Sequence, residues 1–578
     1  MWTLLAVLGC TRDDGPTEST PPDPVDSGDT GTPCEPIEWL IDADGDGFGG
    51  ETIEGCEAPD NATEVEGDCD DAQADVYPGA TEVCGDGAVN DCDADEAAVR
   101  EACELSGTYF LPELATSVLG IAGGDWAGRA VSAAGDVNGD GYQDALVGAY
   151  AEGNDLPSVA PPIDELGAGT AGSAYLLLGG PEGVATTSLS GADAILDGIE
   201  ELHYAGRSVS GLGDIDGDGY GDVLVGAFGD DEGGELAGST YLLHGGPEGL
   251  ASGTLDEVGR SKLVGETDNS ESGYATGPAG DVNGDGFADV LVGAPHEDTL
   301  GHDAGRAYLF YGAAEGIPSG SLADAPVILS GEVDDDHVGE WVDAAGDVDG
   351  DGLGDLIIGA YKESSVGTWC GAAYLILGDG IATKSAGDAD GKYAGTAAYD
   401  RAGASVSGLG DANGDGYADV IVGAYLADGA NGSNTGAAYV LMGGPEGIAT
   451  RNLSESDARF DGDSSGDNAG ISVSDAGDFN GDGYDDALVG AYNQSTAGFS
   501  AGAAYVVHGS AEGFATIGLG EADLRLLGDT SQHHTGEATA GAGDLDGDGY
   551  PELLIGAPQY SVSGAQVGAV HIVSGAGP

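Results

Sequence analysis

Seven copies of one acidic loop, spaced 64–78 residues apart in a chain where 109 of 578 residues are glycine, predict an all-β fold. The architecture expected is a seven-bladed β-propeller preceded by a small disulfide-rich, calcium-binding module. Three observations carry this. The loop D-x-[DN]-G-D-G-x-x-[DE] begins at Asp136, Asp214, Asp281, Asp347, Asp411, Asp478 and Asp544. Two glycines keep a fixed register to every copy. Glycine excess with no three-residue period suits a fold made of short strands and many tight turns.

The register is strict. Eight residues before each loop stands Gly128, Gly206, Gly273, Gly339, Gly403, Gly470 or Gly536. Twelve residues after each loop start, in [VI]-G-A, stands Gly148, Gly226, Gly293, Gly359, Gly423, Gly490 or Gly556. Each repeat reads as four strands: one after the early glycine (Gly206-Arg-Ser-Val-Ser-Gly) and one after the loop (Val223-Leu-Val-Gly-Ala-Phe). A third carries Ala-Tyr-Leu, as at Ala174-Tyr175, and the fourth is a short apolar run such as Ala194-Ile-Leu. Four strands at a pitch of roughly 65 residues make a propeller blade. The last repeat stops after its third strand at His571-Ile-Val, and residues 115–121 supply a fourth-strand pattern. The two ends are therefore expected to share blade seven and cover the edges an open array would expose.

These residues resemble the FG-GAP repeats of the integrin alpha-subunit propeller, with GAP literal at Gly293-Ala-Pro295 and Gly556-Ala-Pro558. The resemblance covers residues 107–578. It implies that the acidic loops lie on one face and that ligands approach the other.

Within each loop, oxygens fall at positions 1, 3, 5, 7 (a backbone carbonyl) and 9, an all-oxygen set that selects a hard cation, Ca²⁺, over transition metals. The expected ligands are Asp136, Asn138, Asp140, Tyr142 and Asp144; Asp214, Asp216, Asp218, Tyr220 and Asp222; Asp281, Asn283, Asp285, Phe287 and Asp289. They continue with Asp347, Asp349, Asp351, Leu353 and Asp355; Asp411, Asn413, Asp415, Tyr417 and Asp419. The last two sets are Asp478, Asn480, Asp482, Tyr484 and Asp486, and Asp544, Asp546, Asp548, Tyr550 and Glu552, where the longer Glu552 arm alters coordination. About seven calcium ions are expected in the propeller, as stability sites rather than catalytic ones.

Ahead of the repeats the chain divides into three. Residues 1–10, apolar and ending Leu8-Gly9-Cys10, read as a lipoprotein-type signal with Cys10 as the lipidated residue, although no Lys or Arg precedes the apolar run. Residues 11–33, rich in Thr, Pro, Asp, Ser and Gly, read as a disordered tether. Residues 34–106 hold Cys34, Cys56, Cys69, Cys84, Cys92 and Cys103, a disulfide framework of undetermined connectivity and a sign of an oxidising compartment. There Asp42, Asp44, Asp46 and Phe48 repeat the first half of a calcium loop, but Ile53 stands where an EF-hand needs its bidentate Glu. Together with Gly67-Asp68-Cys69-Asp70 and Asn90-Asp91-Cys92-Asp93, this segment resembles the metal-binding modules of MopE-type bacterial surface and secreted proteins, which implies one or two further Ca²⁺.

The formal charge is −90, from 104 acidic and 14 basic residues. Such a field excludes nucleic acid and anionic membrane surfaces as partners, leaving a membrane only through an N-terminal lipid anchor. No nucleophile elbow, zinc motif, phosphate loop or dinucleotide fingerprint is present, and the nine histidines read as scattered. The chain is expected to be exported, as an outer-membrane or cell-surface lipoprotein or a secreted protein. It is expected to act as a binding or adhesion module for a protein or polysaccharide ligand and not as an enzyme. The alternatives are a calcium-stabilised matrix scaffold and, less favoured, the non-catalytic part of a hydrolase system. On the ligand face the sequence places the long loop Ala151–Gly172 and a rim of Trp126, Tyr204, Tyr274, Trp341 and Tyr399, with blade-edge packing as the competing role for the aromatics.

Overall fold

The computed structural model describes residues 37–41, 51–55, 62–63, 105–150, 171–378 and 380–575. Two compact units are distinguished, divided near residue 81. In the smaller, Ile37–Ile41 pairs antiparallel with both Glu51–Gly55 and Ala62–Thr63. Asp42, Asp44, Asp46 and Phe48 fall in the segment joining the first two strands, outside the described residues, as do Cys10, the six clustered cysteines and residues 151–170. Ile53 pairs with Trp39 in a strand, where an EF-hand would have begun its exit helix.

The larger unit is a seven-bladed β-propeller of antiparallel sheets. Blade one runs outward through Ala130–Gly135, Asp144–Ala149, Ser173–Leu177 and Ala194–Asp197. The later blades repeat it, their first strands being Ala205–Gly213, Ala275–Gly280, Trp341–Gly346, Ser405–Gly410, Ser472–Gly477 and Ala538–Gly543. These first strands pack against one another all the way round and line a central channel of about 270 Å³. Trp341 belongs to this lining and not to the rim where the sequence placed it.

Burial explains the strand patterns. The second and third strands face neighbouring blades on both sides, so Asp222–Ala227 and Ser239–Leu243 are buried at every residue and read as apolar runs instead of alternating ones. The third-strand tyrosines Tyr175, Tyr241, Tyr308, Tyr374, Tyr439 and Tyr505 are all buried. In blade seven this place is taken by His571, whose Nδ1 lies 2.8 Å from the Ser117 hydroxyl. Cys370 is likewise a buried filler, its Sγ 3.4 Å from the Glu363 carbonyl.

The two registered glycines meet across every blade junction. A Cβ on Gly148 would run into the Gly206 carbonyl, and the same holds for Gly226 with Gly273, Gly293 with Gly339, Gly359 with Gly403, Gly423 with Gly470, Gly490 with Gly536 and Gly556 with Gly128. The early glycine also has φ between 75° and 87° in all seven copies, a conformation L side chains resist.

Closure goes further than expected. Thr116–Leu119 pairs antiparallel with Ala569–Val573 as the fourth strand of blade seven. The sequence immediately before it, Gly107–Phe110, pairs parallel with Leu524–Leu527 on the outer edge of blade six. In blades one to five that edge is capped by a two-residue strand from the next blade, as Gly253–Thr254 caps blade one. Residues 107–119 therefore supply, in the same order as in the other blades, the capping strand, the helical turn, here Leu111–Leu114, and the fourth strand.

Gly403→Ala should destabilise the propeller by about 3 kcal/mol, through a positive φ and a clash with the Ala372 carbonyl together. Gly444→Ala, with open space around it, should be nearly neutral. Urea midpoints of the two variants check this.

Candidate metal centres

All seven acidic loops join the first strand of a blade to the second. In blade one, Asp136 accepts from the backbone N–H of Gly139 (2.7 Å), Asp140 (3.1 Å) and Gly141 (3.0 Å), so the first aspartate itself winds the loop. The position-3 oxygen accepts from the position-5 N–H, at 2.9 Å for Asn138 and 3.2 Å for Asp216, and the position-5 carboxylate accepts from the position-7 N–H, at 3.1 Å for Asp140. Both bonds recur in all seven loops. These turns aim the side chains inward: Asp214, Asp216 and Asp218, and likewise Asp347, Asp349 and Asp351, each place a carboxylate oxygen within 4.8 Å of the others. Asn replaces Asp at position 3 in four blades without loss of the turn, because its carbonyl oxygen accepts the same bond.

Position 9 differs in kind. Asp144, Asp222, Asp289, Asp355, Asp419 and Asp486 are wholly buried, and Glu552 nearly so. One oxygen accepts from the position-2 N–H and the other from a glycine N–H just beyond the third strand; for Asp144 these are Val137 and Gly179, both at 2.9 Å. In blade seven the longer Glu552 takes the Ser574 hydroxyl (3.1 Å) in place of the glycine amide. Burial, with the neighbouring loop aspartates adding to it, pushes these carboxyls up to about 6 (Asp144, Asp222, Asp289), about 7 (Asp355, Asp419) and about 8 (Asp486, Glu552). A buried carboxylate beside three more oxygen donors fits a hard divalent cation, which would offset both the burial and the mutual repulsion.

The loops also lock onto one another. The position-7 side chain lies over the position-4 glycine of the preceding blade. A Cβ on Gly139, Gly217, Gly350, Gly414, Gly481 or Gly547 would come within 2.6–2.8 Å of the ring of Tyr220, Phe287, Tyr417, Tyr484, Tyr550 or Tyr142, and Gly284 faces Leu353. The position-8 N–H donates to the position-1 carbonyl of the same preceding blade at six junctions, as Gly221 does to Asp136 at 2.8 Å. At the seventh, position 8 is Pro551, which has no N–H.

The sequence reading thus located every loop position but missed several partners. His244 lies 2.6 Å from Asp216, and Ser574 and the third-strand glycine amides serve position 9. One signal was readable: position 4 is always Gly and position 7 is Tyr, Phe or Leu.

Antiparallel pairing puts the second-to-third-strand and inter-blade connections at the opposite end of each blade. There Trp126, Tyr150, Tyr204, Phe228 and Tyr274 form a continuous run of ring contacts, with centroids 4.9–6.4 Å apart. Trp126 and Tyr204 are buried in it, so blade-edge packing is what they do. Tyr399 is 53% exposed and meets Trp369 edge-on at 5.8 Å, with the Arg401 guanidinium 4.5 Å over the Trp369 ring. Near the channel mouth, Arg129 pairs with Glu537 (3.3 Å) and Arg207 stacks on Tyr274 (4.1 Å).

Comparison with known proteins matches the FG-GAP repeat family over residues 127–177, 272–310, 339–376, 402–441, 471–507 and 535–573. The second blade, which falls between the first two matches, has the same four strands as the rest. The MopE-type metal-binding motif matches residues 68–96. Curated relatives include integrin alpha-PS2 of Drosophila melanogaster, 35% identical over 28% of this chain and 11% of that protein. Integrin alpha pat-2 of Caenorhabditis briggsae is 28% identical over 47% and 22%, and integrin alpha-IIb of Mus musculus 35% over 30% and 16%. The chain thus spans less than a quarter of the length of each of these relatives. A solved structure of BBS1N in complex with ARL6DN is similar at TM-score 0.40 and 9% identity, with 79% of this chain and 97% of that chain covered. With its repeats matched in six blades and a seventh built alike, the chain is an FG-GAP-repeat β-propeller protein carrying a MopE-type metal-binding motif ahead of its blades.

Proposed function

We propose that this protein is an exported, calcium-loaded binding module that holds a protein or polysaccharide ligand on the face opposite its acidic loops and catalyses nothing. The observation that carries the calcium reading is the recurrence, seven times, of a buried position-9 carboxylate closing the same hydrogen-bonded loop, with the position-1, -3 and -5 carboxylates seen to converge in blades two and four. Similarity to integrin alpha chains supports the adhesion reading and an extracellular or cell-surface location. The exposed Tyr399, with Trp369 and Arg401 beside it, offers the stacking and charged contacts such a ligand would use. Calcium acts here on stability. At a free concentration about ten times Kd each site adds about 1.4 kcal/mol, and seven add about 10 kcal/mol. The N-terminal module, with Asp42, Asp44 and Asp46, adds one or two ions in this reading, and Cys10 the anchor.

Calorimetry should find about seven calcium ions in the propeller, and EDTA should lower its melting temperature strongly; an EDTA-insensitive melt would overturn the calcium reading. Asp285→Ala should remove one ion and about 1–2 kcal/mol of the calcium-dependent stability. The position-9 groups have folded pKa values raised above their ordinary ones. In EDTA they therefore favour the fold below pH about 4, and that contribution is lost as pH rises through about 6–8. Melting temperature in EDTA should accordingly fall across this window, and saturating calcium should abolish the fall.

Ligand binding is tested by titrating arrayed polysaccharides and matrix proteins with calcium-loaded protein. Saturable binding weakened about tenfold by Tyr399→Ala is expected. Self-association alone would favour the scaffold instead.

A further inference from the structure

Three of the nine histidines, separated by up to 41 residues in sequence, converge at the junction of blades three and four on the face away from the acidic loops. His296, His302 and Asp303 come from the second-to-third-strand connection of blade three, and His337 from the connection entering blade four. Asp303 is the hub. Its carboxylate lies 3.2 Å from His296 Nδ1, 3.8 Å from His337 Nε2 and 3.4 Å from His302 Nδ1. The geometry points to a binding site for a zinc-class divalent transition cation, held by His296, Asp303 and His337 with the fourth position open to solvent.

The distances are near what such an ion needs. Tetrahedral coordination at about 2.0–2.1 Å sets neighbouring ligand atoms about 3.3 Å apart. His296 already meets Asp303 Oδ1 at 3.2 Å, His337 meets the other oxygen, Oδ2, at 3.8 Å, and one ligand atom from each of the three residues lies within 4.8 Å of the others. Two imidazoles with one carboxylate select a borderline ion over calcium. The outer layer is also in place. His296 presents its Nε2 to Glu271 at 3.7 Å, and His337 its Nδ1 to Glu340 at 4.0 Å, so each ring has one nitrogen toward Asp303 and the other toward a carboxylate. Histidine ligands are ordinarily fixed by such carboxylate partners. His337 is fully buried, and its Nδ1 and the Glu271 Oε2 are buried atoms with no hydrogen-bond partner.

Lys362 is the competitor. Its ammonium donates to His337 Nε2 at 2.8 Å and occupies the place the ion would take. Metal binding therefore requires Lys362 to swing away, and removing it should favour the ion.

The test uses the full chain in excess calcium, so that the oxygen-only loops stay filled, with Co²⁺ as the probe. Wild type should take up one more equivalent than His296→Ala/His337→Ala and show the intense visible absorption of tetrahedral cobalt, bleached by Zn²⁺. Metal held by the N-terminal module is common to both proteins and cancels in the difference. Asp303→Asn should weaken binding at least tenfold, and Lys362→Met should strengthen it several-fold. Should the double variant fail to fold, Asp303→Asn and Lys362→Met give the same reading in opposite directions. Equal uptake and equal spectra in wild type and variants, or no tetrahedral band in the calcium-saturated wild type, would overturn the proposal.

Discussion

Seven sheets close into a circle only if every neighbouring pair approaches to the same distance at both ends of its strands. In this chain the two ends use different devices. At the end away from the acidic loops the second strand of one blade lies against the first residues of the next with no side chain between them, glycine on glycine. At the loop end an aromatic or leucine side chain drops onto the glycine of the preceding loop, and a backbone amide ties the two loops together. The repeat register is therefore a property of the junction more than of the blade. The spacing between glycine, loop and glycine sets where two blades touch, and a one-residue change would move a Cβ into a carbonyl oxygen. Blade-to-blade variation in length falls in the connections, where the interval stretches from 64 to 78 residues.

The same loops hold the greatest electrostatic tension in the propeller. Positions 1, 3 and 5 are partly exposed in most blades and already bound to loop amides, whereas position 9 is sealed under the strands. A carboxylate in that setting needs either a proton or a cation. Seven divalent ions would answer the local problem yet bring the formal charge only from −90 to about −76, by adding fourteen positive charges. Most of the acidity therefore lies outside the loops, where it hydrates the surface and keeps like molecules apart.

The architecture was legible because each blade states its pattern independently and the copies vote together. Loop positions, strand order and ring closure all follow from that repetition. What escaped was whatever occurs once. Gly107–Phe110, inside the propeller by the sequence reading, is given no strand until a partner edge on blade six exists for it. Trp341 reads as a rim aromatic because strand alternation alone does not say which face of a first strand meets the channel. His296 and His337 are far apart along the chain and carry no motif. Only the fold brings them to Asp303. Tyr204 and Trp126 had two possible roles in sequence, and packing with Tyr150 and Phe228 decided between them.

Pro551 interrupts the belt of loop-to-loop hydrogen bonds at one place, between blades six and seven. The segment 107–119 straddles that same seam, its first strand on blade six and its second completing blade seven. Viewed mechanically, it is a strap across the weakest joint of a hoop. Tension on the chain ahead of residue 107 does not pull on a tail. It bears first on the four-residue parallel strand at blade six, then on the antiparallel strand at blade seven, and the ring stays shut for as long as the strap holds. In assembly the order is reversed: Gly107–Phe110 has no partner until Leu524–Leu527 has been made, and Thr116–Leu119 none until Ala569–Val573, so the hoop is fastened last by the part of the propeller that was made first.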